Sequence, residues 1–287
     1  MLLQNEILQR AEKEGVPPDT IDKDWVLGHF LSVLFQQNWA QEKLVFKGGT
    51  CLKKCYFPDY RFSEDLDFTL IDKDFVISDK LLQSVCNTIS DRYDILFSKV
   101  KLEPIRWENT RVGYETRIHF WGANHKRNQT PPDSQRWQTS IKIEIVFYEE
   151  MVNNPEKLLL YSAYSDKNSF EGVCIPCYTI SEILAEKFRA LIQRAYAAPR
   201  DYYDLWYIFT HYKTINIDEV ASTFKKKMQY KQIQFSNYED FFVEYRLKNM
   251  KKEWNNSLKS HIREGSLTDV DEVINELKNV CKQIKWD

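Results

Sequence analysis

Phe46-Lys47-Gly48-Gly49-Thr50, followed closely by Arg61-Phe62-Ser63-Glu64-Asp65-Leu66-Asp67-Phe68, is the stretch on which the fold turns. The glycine pair lets backbone N–H groups approach a bound phosphate closely. Asp65 and Asp67 stand two residues apart, so in a strand they share one face while Leu66 and Phe68 take the other. Neighbouring carboxylates repel unless a cation lies between them. Magnesium suits such a place, because it takes hard oxygen ligands and keeps positions open for phosphate oxygens. Together the two motifs point to chemistry on a nucleoside triphosphate.

Outward from this stretch the pattern is mixed. The first forty residues have helical spacing: Trp25, Phe30, Leu31, Leu34 and Phe35 recur on one face, and Thr20 and Asp22 offer cap chemistry. Leu44-Val45-Phe46 is a short buried strand running into the glycines, residues 50–56 form a short helix, and residues 66–70 form a second strand. Residues 81–93 are helical, and residues 111–121 alternate like a strand. Residues 124–135 are polar and include Pro131-Pro132, which reads as an exposed loop long enough to serve as a lid. Residues 140–147 are the clearest strand, with Ile141, Ile143, Ile145 and Phe147 on one face and Lys142, Glu144 and Val146 on the other. From Thr179-Ile180-Ser181-Glu182, which has capping-box spacing, the chain is helical to its end, with Pro199 closing one helix before the next begins at Asp201. These patterns predict an α+β chain with a mixed β-sheet flanked by helices over residues 1–178, and a helical bundle over 179–287.

Three further groups of polar residues stand out. Glu144 lies mid-strand in an apolar run, where a charge calls for a partner. Lys142 on its own face could be that partner in a surface pair on an edge strand; alternatively, Glu144 is a third carboxylate beside Asp65 and Asp67. The residues alone leave both open. Lys187 projects from the border of the stripe Ile183, Leu184, Phe188, Leu191 and Ile192. A lysine can snorkel there or aim its charge at phosphate. Asp201 and Asp204 share the first turns of one helix, where the helix dipole favours acids and Arg200 offers a salt bridge.

Composition limits the alternatives. With 40 basic and 42 acidic residues the formal net charge is -2, so no global basic field attracts nucleic acid, and an RNA partner needs a local patch such as Lys225-Lys226-Lys227. That triplet alone reads as a solvated helix face. No apolar run approaches the ~18 residues of a membrane span, and the start, Met1-Leu2-Leu3-Gln4-Asn5-Glu6, lacks the pattern of a signal peptide. The expected location is the cytoplasm, where Cys51, Cys55, Cys86, Cys174, Cys177 and Cys281 are reduced. Cys174-Ile175-Pro176-Cys177 has C-x-x-C spacing, yet it reads as part of a short strand and has no second C-x-x-C to complete a common zinc site. Buried structural thiols are the expectation.

The motifs together resemble those of the AbiEii/AbiGii toxin family of nucleotidyltransferases, a branch of the polymerase-β-like superfamily. The resemblance runs over residues 45–208 and rests on the glycine motif, the Arg61–Asp67 motif, Lys142-Ile143-Glu144, Leu184-Ala185-Glu186-Lys187 and Arg200-Asp201-x-x-Asp204-Leu205, in that order. It implies a polymerase-β-like nucleotidyltransferase domain in which Asp65, Asp67 and Glu144 hold two magnesium ions. Lys47, Gly48, Gly49, Thr50, Arg61, Ser63, Lys142, Asp201 and Asp204 would bind the nucleotide, with the Thr50 hydroxyl and the amides around Gly49 on the triphosphate. Lys187 would offset the charge developing there. The superfamily often has serine at the Thr50 position, and aspartate at that of Glu144. The implied reaction is NMP transfer from an NTP to an acceptor, with RNA and the tRNA 3′ end foremost, in the toxin of a bacterial toxin–antitoxin pair. Transfer to a protein or small molecule, and a catalytically silent binding module, are the competing readings.

Overall fold

A computed structural model describes residues 2–126, 128–196 and 198–286. The chain divides into two compact units: Met1–Glu149 with Pro155–Cys177, and Tyr178–Asp287 with the short segment Glu150–Asn154.

The first unit opens with helices α1 (Gln4–Glu14), α2 (Pro18–Leu34) and α3 (Asn38–Lys43). Pro18 occupies the first position of α2, where its missing N–H and fixed φ suit a helix start. Thr20 and Asp22 therefore lie inside the helix and do not cap it. α2 is buried nearly all round, so it is a core helix rather than an amphipathic one. It packs against α1 and against α5 (Asp79–Tyr93), whose N-cap Ser78 accepts from the Leu81 N–H. Several of the polar groups that α2 buries have close partners. Asp24 pairs with Lys54 at 2.7 Å and accepts from the Tyr164 hydroxyl at 2.8 Å, and Asp22 accepts from the Ala123 N–H at 2.7 Å.

The sheet holds β1 (Leu44–Lys47), β2 (Asp65–Leu70), β3 (Leu96–Phe97), β4 (Glu103–Trp107), β5 (Thr110–Trp121), β6 (Ser140–Val146), β7 (Glu156–Leu159) and β8 (Cys174–Cys177). Its order is β3-β5-β6-β2-β1-β8-β7, with β4 paired to β5. It is mixed: β2 runs parallel to β6 and β1 parallel to β8, while the other pairs are antiparallel. Leu66, Phe68, Ile141, Ile143 and Ile145 are buried. Each such side chain removed from water contributes about 1.5–3 kcal/mol. β6 lies between β5 and β2, so the edge-strand reading of Lys142 and Glu144 is overturned. Between β1 and β2 the chain forms α4 (Gly48–Cys51), which widens into a π turn over Leu52–Tyr56.

The second unit consists of α6 (Ile180–Gln193), α7 (Pro199–His211), α8 (Ile217–Tyr230), α9 (Glu244–Leu258) and α10 (Val270–Gln283). Thr179 caps α6 by accepting from the Glu182 N–H at 3.1 Å. The box is one-sided, because the Glu182 carboxylate instead accepts from the backbone N–H groups of Val152 and Asn153 and pairs with Lys227 at 2.6 Å. This fully buried acid fastens the segment 150–154 to the helices. It also takes Lys227 out of the basic triplet: Lys225 and Lys226 are exposed, whereas Lys227 is buried. Pro199 opens α7 rather than closing α6, which ends at Gln193. Phe188, Phe224, Phe235, Phe241 and Trp286 form an aromatic core, with Phe188 and Phe241 centroids 4.9 Å apart and Phe224 and Trp286 5.1 Å apart.

No helix of the described residues is long and apolar enough to cross a membrane.

Candidate active site

Strand register builds the site in the first unit. Lys47 pairs with Asp67, Asp67 with Glu144, and Glu144 with Glu115, giving one rung across β1, β2, β6 and β5. The next rung is Asp65, Lys142 and Arg117. Residues directly opposite in a sheet project from the same face, so these seven charges share one face.

The first rung sets three acids side by side, which is destabilising unless cations intervene. Lys142 intervenes at one end, 3.1 Å from Glu144 and 3.3 Å from Glu115. Its partial burial works against the charge. The hydrogen bonds and charges of Glu144 and Glu115 outweigh that and raise its pKa. Arg117 donates to the Ser140 hydroxyl at 3.1 Å. Sequence reasoning missed Glu115 and Arg117. Their alternation with Tyr114, Thr116 and Ile118 was the available signal, but only register makes them neighbours of Glu144.

At the other end of the rung the glycine turn closes on Asp67. Gly48 has φ +81, a conformation that L side chains rarely adopt, and a Cβ there would stand 2.3 Å from an Asp67 carboxylate oxygen. A Cβ on Gly49 would meet the Ser63 hydroxyl at 2.9 Å and the Arg61 guanidinium at 3.0 Å. Gly48, Gly49, Arg61, Ser63 and Asp67 are thus brought together. No side chain caps α4, and N–H groups at a helix start are the ones suited to bind an anion. Thr50 takes a different part from the one expected. It is buried, and its hydroxyl donates to the Asp65 backbone carbonyl at 2.5 Å, which pins the turn to β2. Arg61 is also buried and donates to the Phe62 carbonyl at 3.1 Å.

The acid set fits a hard divalent cation by donor type and by the shared face of Asp65 and Asp67. It is not drawn into a tight cage. Among the described residues, the three ligating side chains that come within 4.8 Å of one another are Cys51, Cys55 and Cys177, not the acids.

The remaining expected residues belong to the second unit. Lys187 on α6 lies 3.1 Å from Asp201 and 2.5 Å from Asp204, both on α7. Asp204 is fully buried, and Arg194 also pairs with Asp201. Arg200, expected as a partner of Asp201, donates to the Ser257 carbonyl at 3.4 Å and lies 3.1 Å from a His261 ring nitrogen.

Chemically, the sheet face can take a phosphorylated ligand: acids for a cation, a glycine turn and helix start for phosphate, and lysines at its margins. The comparisons narrow that class. The family model for the nucleotidyl transferase AbiEii toxin of type IV toxin–antitoxin systems matches residues 29–276, and the chain belongs to this family. It is therefore a nucleotidyltransferase, and the family implies an NTP substrate and an antitoxin partner. Among solved structures it is similar to MenT4, a nucleotidyltransferase toxin from Mycobacterium tuberculosis H37Rv. That match has 20% identity and a TM-score of 0.69, over 99% of this chain and 91% of the other. It is also similar to JHP933 from Helicobacter pylori, at 18% identity and a TM-score of 0.56, over 93% and 92% of the two chains. At these identities the likeness shows the fold alone. No curated protein matches the chain.

Proposed function

We propose that this nucleotidyltransferase is magnesium-dependent and moves NMP from an NTP to the 3′ end of an RNA, tRNA foremost, as a toxin held in check by its antitoxin. The observation that carries the metal and phosphate assignment is the Asp67 carboxylate set directly against Gly48. It joins the cation-binding acid to the phosphate-binding turn. RNA as acceptor rests on the family resemblance.

Asp65 and Asp67 would hold magnesium, with Glu144 joining them on release from Lys142. Bound there, the metal would neutralise triphosphate charge and acidify the acceptor hydroxyl. The N–H groups at the start of α4 bind phosphate oxygens, and Lys47 and Lys142 add positive charge at the rim. Arg61, Ser63 and Thr50 hold the turn in place. Lys187, oriented by Asp201 and Asp204, is assigned to nucleotide binding.

The test incubates the protein with each labelled NTP, magnesium and total RNA. Wild type labels RNA, and the label depends on magnesium. Asp67→Asn keeps the fold and loses transfer by at least about 10²-fold, the scale of removing one preorganised electrostatic group. Undiminished transfer by folded Asp67→Asn would remove the metal assignment, and label appearing in protein instead of RNA would remove the acceptor assignment.

A further inference from the structure

Cys51, Cys55 and Cys177 lie far apart in the chain, yet their sulfur atoms are all within 4.8 Å of one another. Cys51 and Cys55 stand on the helix that begins at Gly48. Cys177 ends β8, opposite Phe46 of β1 and Glu156 of β7. Cys51 and Cys177 are fully buried, and Cys55 is half-buried. The helix widens where Cys55 sits: the Phe57 N–H reaches back to the Leu52 carbonyl at 2.7 Å, closing a π turn. Such turns cost hydrogen-bond geometry and occur often at functional positions. The C-x-x-C pair noticed in the sequence does not form this cluster, since Cys174 takes no part in it.

We propose that these three cysteines form a thiolate site for a soft d10 cation, Zn2+ or Cu+. A zinc–sulfur bond of about 2.3 Å places the sulfurs of a tetrahedral site about 3.8 Å apart. The cluster needs a contraction of less than about 1 Å to reach that spacing. A disulfide fits worse. Cys51 and Cys55 are one helical turn apart, with Cβ atoms separated by about 5–6 Å, whereas a disulfide needs about 3.5–4.5 Å. A bridge from Cys177 to either would leave the third thiol packed against it. On binding, the thiols release their protons to solvent and the thiolates bond the metal.

The surroundings agree with the geometry. Hydrogen bonds from Cys177 and Cys51, together with the charge of nearby Lys54, lower the pKa of the Cys55 thiol, while burial pushes Cys51 and Cys177 up. Cys55 is the most open to solvent of the three, which makes it the entry ligand. The site is soft where the Asp65–Asp67 face is hard, so the two select different metals. Occupation would tie the helix that presents Gly48 and Gly49 to β8.

The experiment uses the full chain, reduced and stripped of metal. Zn2+ is titrated against a chromogenic zinc chelator, Cu+ against a copper(I) chelator, and Co2+ is added as a spectroscopic probe. One equivalent of Zn2+ or Cu+ should bind, and Co2+ should give thiolate-to-metal charge-transfer absorption. Millimolar magnesium should not compete. Cys55→Ala should weaken binding at least about 10²-fold. Cys86→Ala, which changes a lone buried thiol on α5, and Asp67→Asn should leave it unchanged, which separates this site from the nucleotide site. Absence of stoichiometric binding by both ions, absence of the cobalt band, or unchanged binding in folded Cys55→Ala would each overturn the assignment. So would a native disulfide within the cluster, seen by mass spectrometry.

Discussion

Replacing Gly48 by alanine tests the geometry of the site at a single atom. Two costs follow from the structure. The φ of +81 forces an L residue into left-handed backbone, at about 1–2 kcal/mol. The new Cβ would lie 2.3 Å from an Asp67 carboxylate oxygen and 3.1 Å from its carboxyl carbon, so the Asp67 side chain must leave its rotamer at about 0.5–1.5 kcal/mol. The sum, about 1.5–3.5 kcal/mol, lowers Tm by roughly 3–14 °C for a unit of this size. Displacing the carboxylate proposed to hold the metal by about 1 Å would cost about 10²-fold in rate. Gly172→Ala is the control. Its φ is +74 but nothing lies within 4 Å of its added Cβ, so it bears the backbone cost and leaves transfer untouched. Thermal unfolding and labelled-nucleotide transfer on both variants separate strain from site damage. If Gly48→Ala transfers at the wild-type rate, the contact between Gly48 and Asp67 does not set the active geometry, and the reading of that turn fails.

Two other perturbations probe buried charge. Burial raises the Asp22 pKa from 3.8 to about 6, against the lowering effect of its bonds to the Ala123 and Asn124 N–H groups. Because the folded pKa lies above the unfolded one, the associated stability is complete below about pH 4 and is lost as pH rises through 6, a change of about 3 kcal/mol. Asp22→Asn cannot titrate, so urea unfolding of wild type and variant should diverge by that amount between pH 4 and 7; parallel curves would refute the buried-carboxyl account. Lys187→Met removes the cation 2.5 Å from the fully buried Asp204 and should cost about 3–5 kcal/mol. Adding Asp204→Asn should recover part of it in denaturant titrations, and a single-variant loss below about 1 kcal/mol would show that the cluster is not coupled.

The parts of the fold that were legible are those with a local cause. Period-two alternation placed β6 and β5, and the i, i+2 acids placed Asp65 and Asp67 on one face of β2. What escaped depends on register or on distant partners. Glu115 and Arg117 matter only because β5 lies against β6 at one offset. Asp22 looked like a cap because its partner, the Ala123 N–H, is about a hundred residues away. Pro199 is equally compatible with ending a helix and beginning one, and the structure uses it to begin α7. The Lys225–Lys227 triplet looked uniform, yet Glu182 draws Lys227 into the interior. The cysteine cluster was invisible for the same reason, since its third member arrives from another strand.

The charged rungs also suggest why Lys142 and Glu115 accompany the acids. Without a cation, Glu144 beside Asp67 is a like-charge pair, and Lys142 relieves it by bonding Glu144 and Glu115 together. If a metal bound between Asp65 and Asp67, Glu144 could turn to it from Lys142. Lys142 would then keep Glu115, so it would lose one of its two acids and not both. A lysine with Glu144 alone would have to be left without its acid at the moment of metal binding. Paired with two glutamates, the ammonium offsets part of the acid charge on this face and would still have a partner if Glu144 turned to a bound metal.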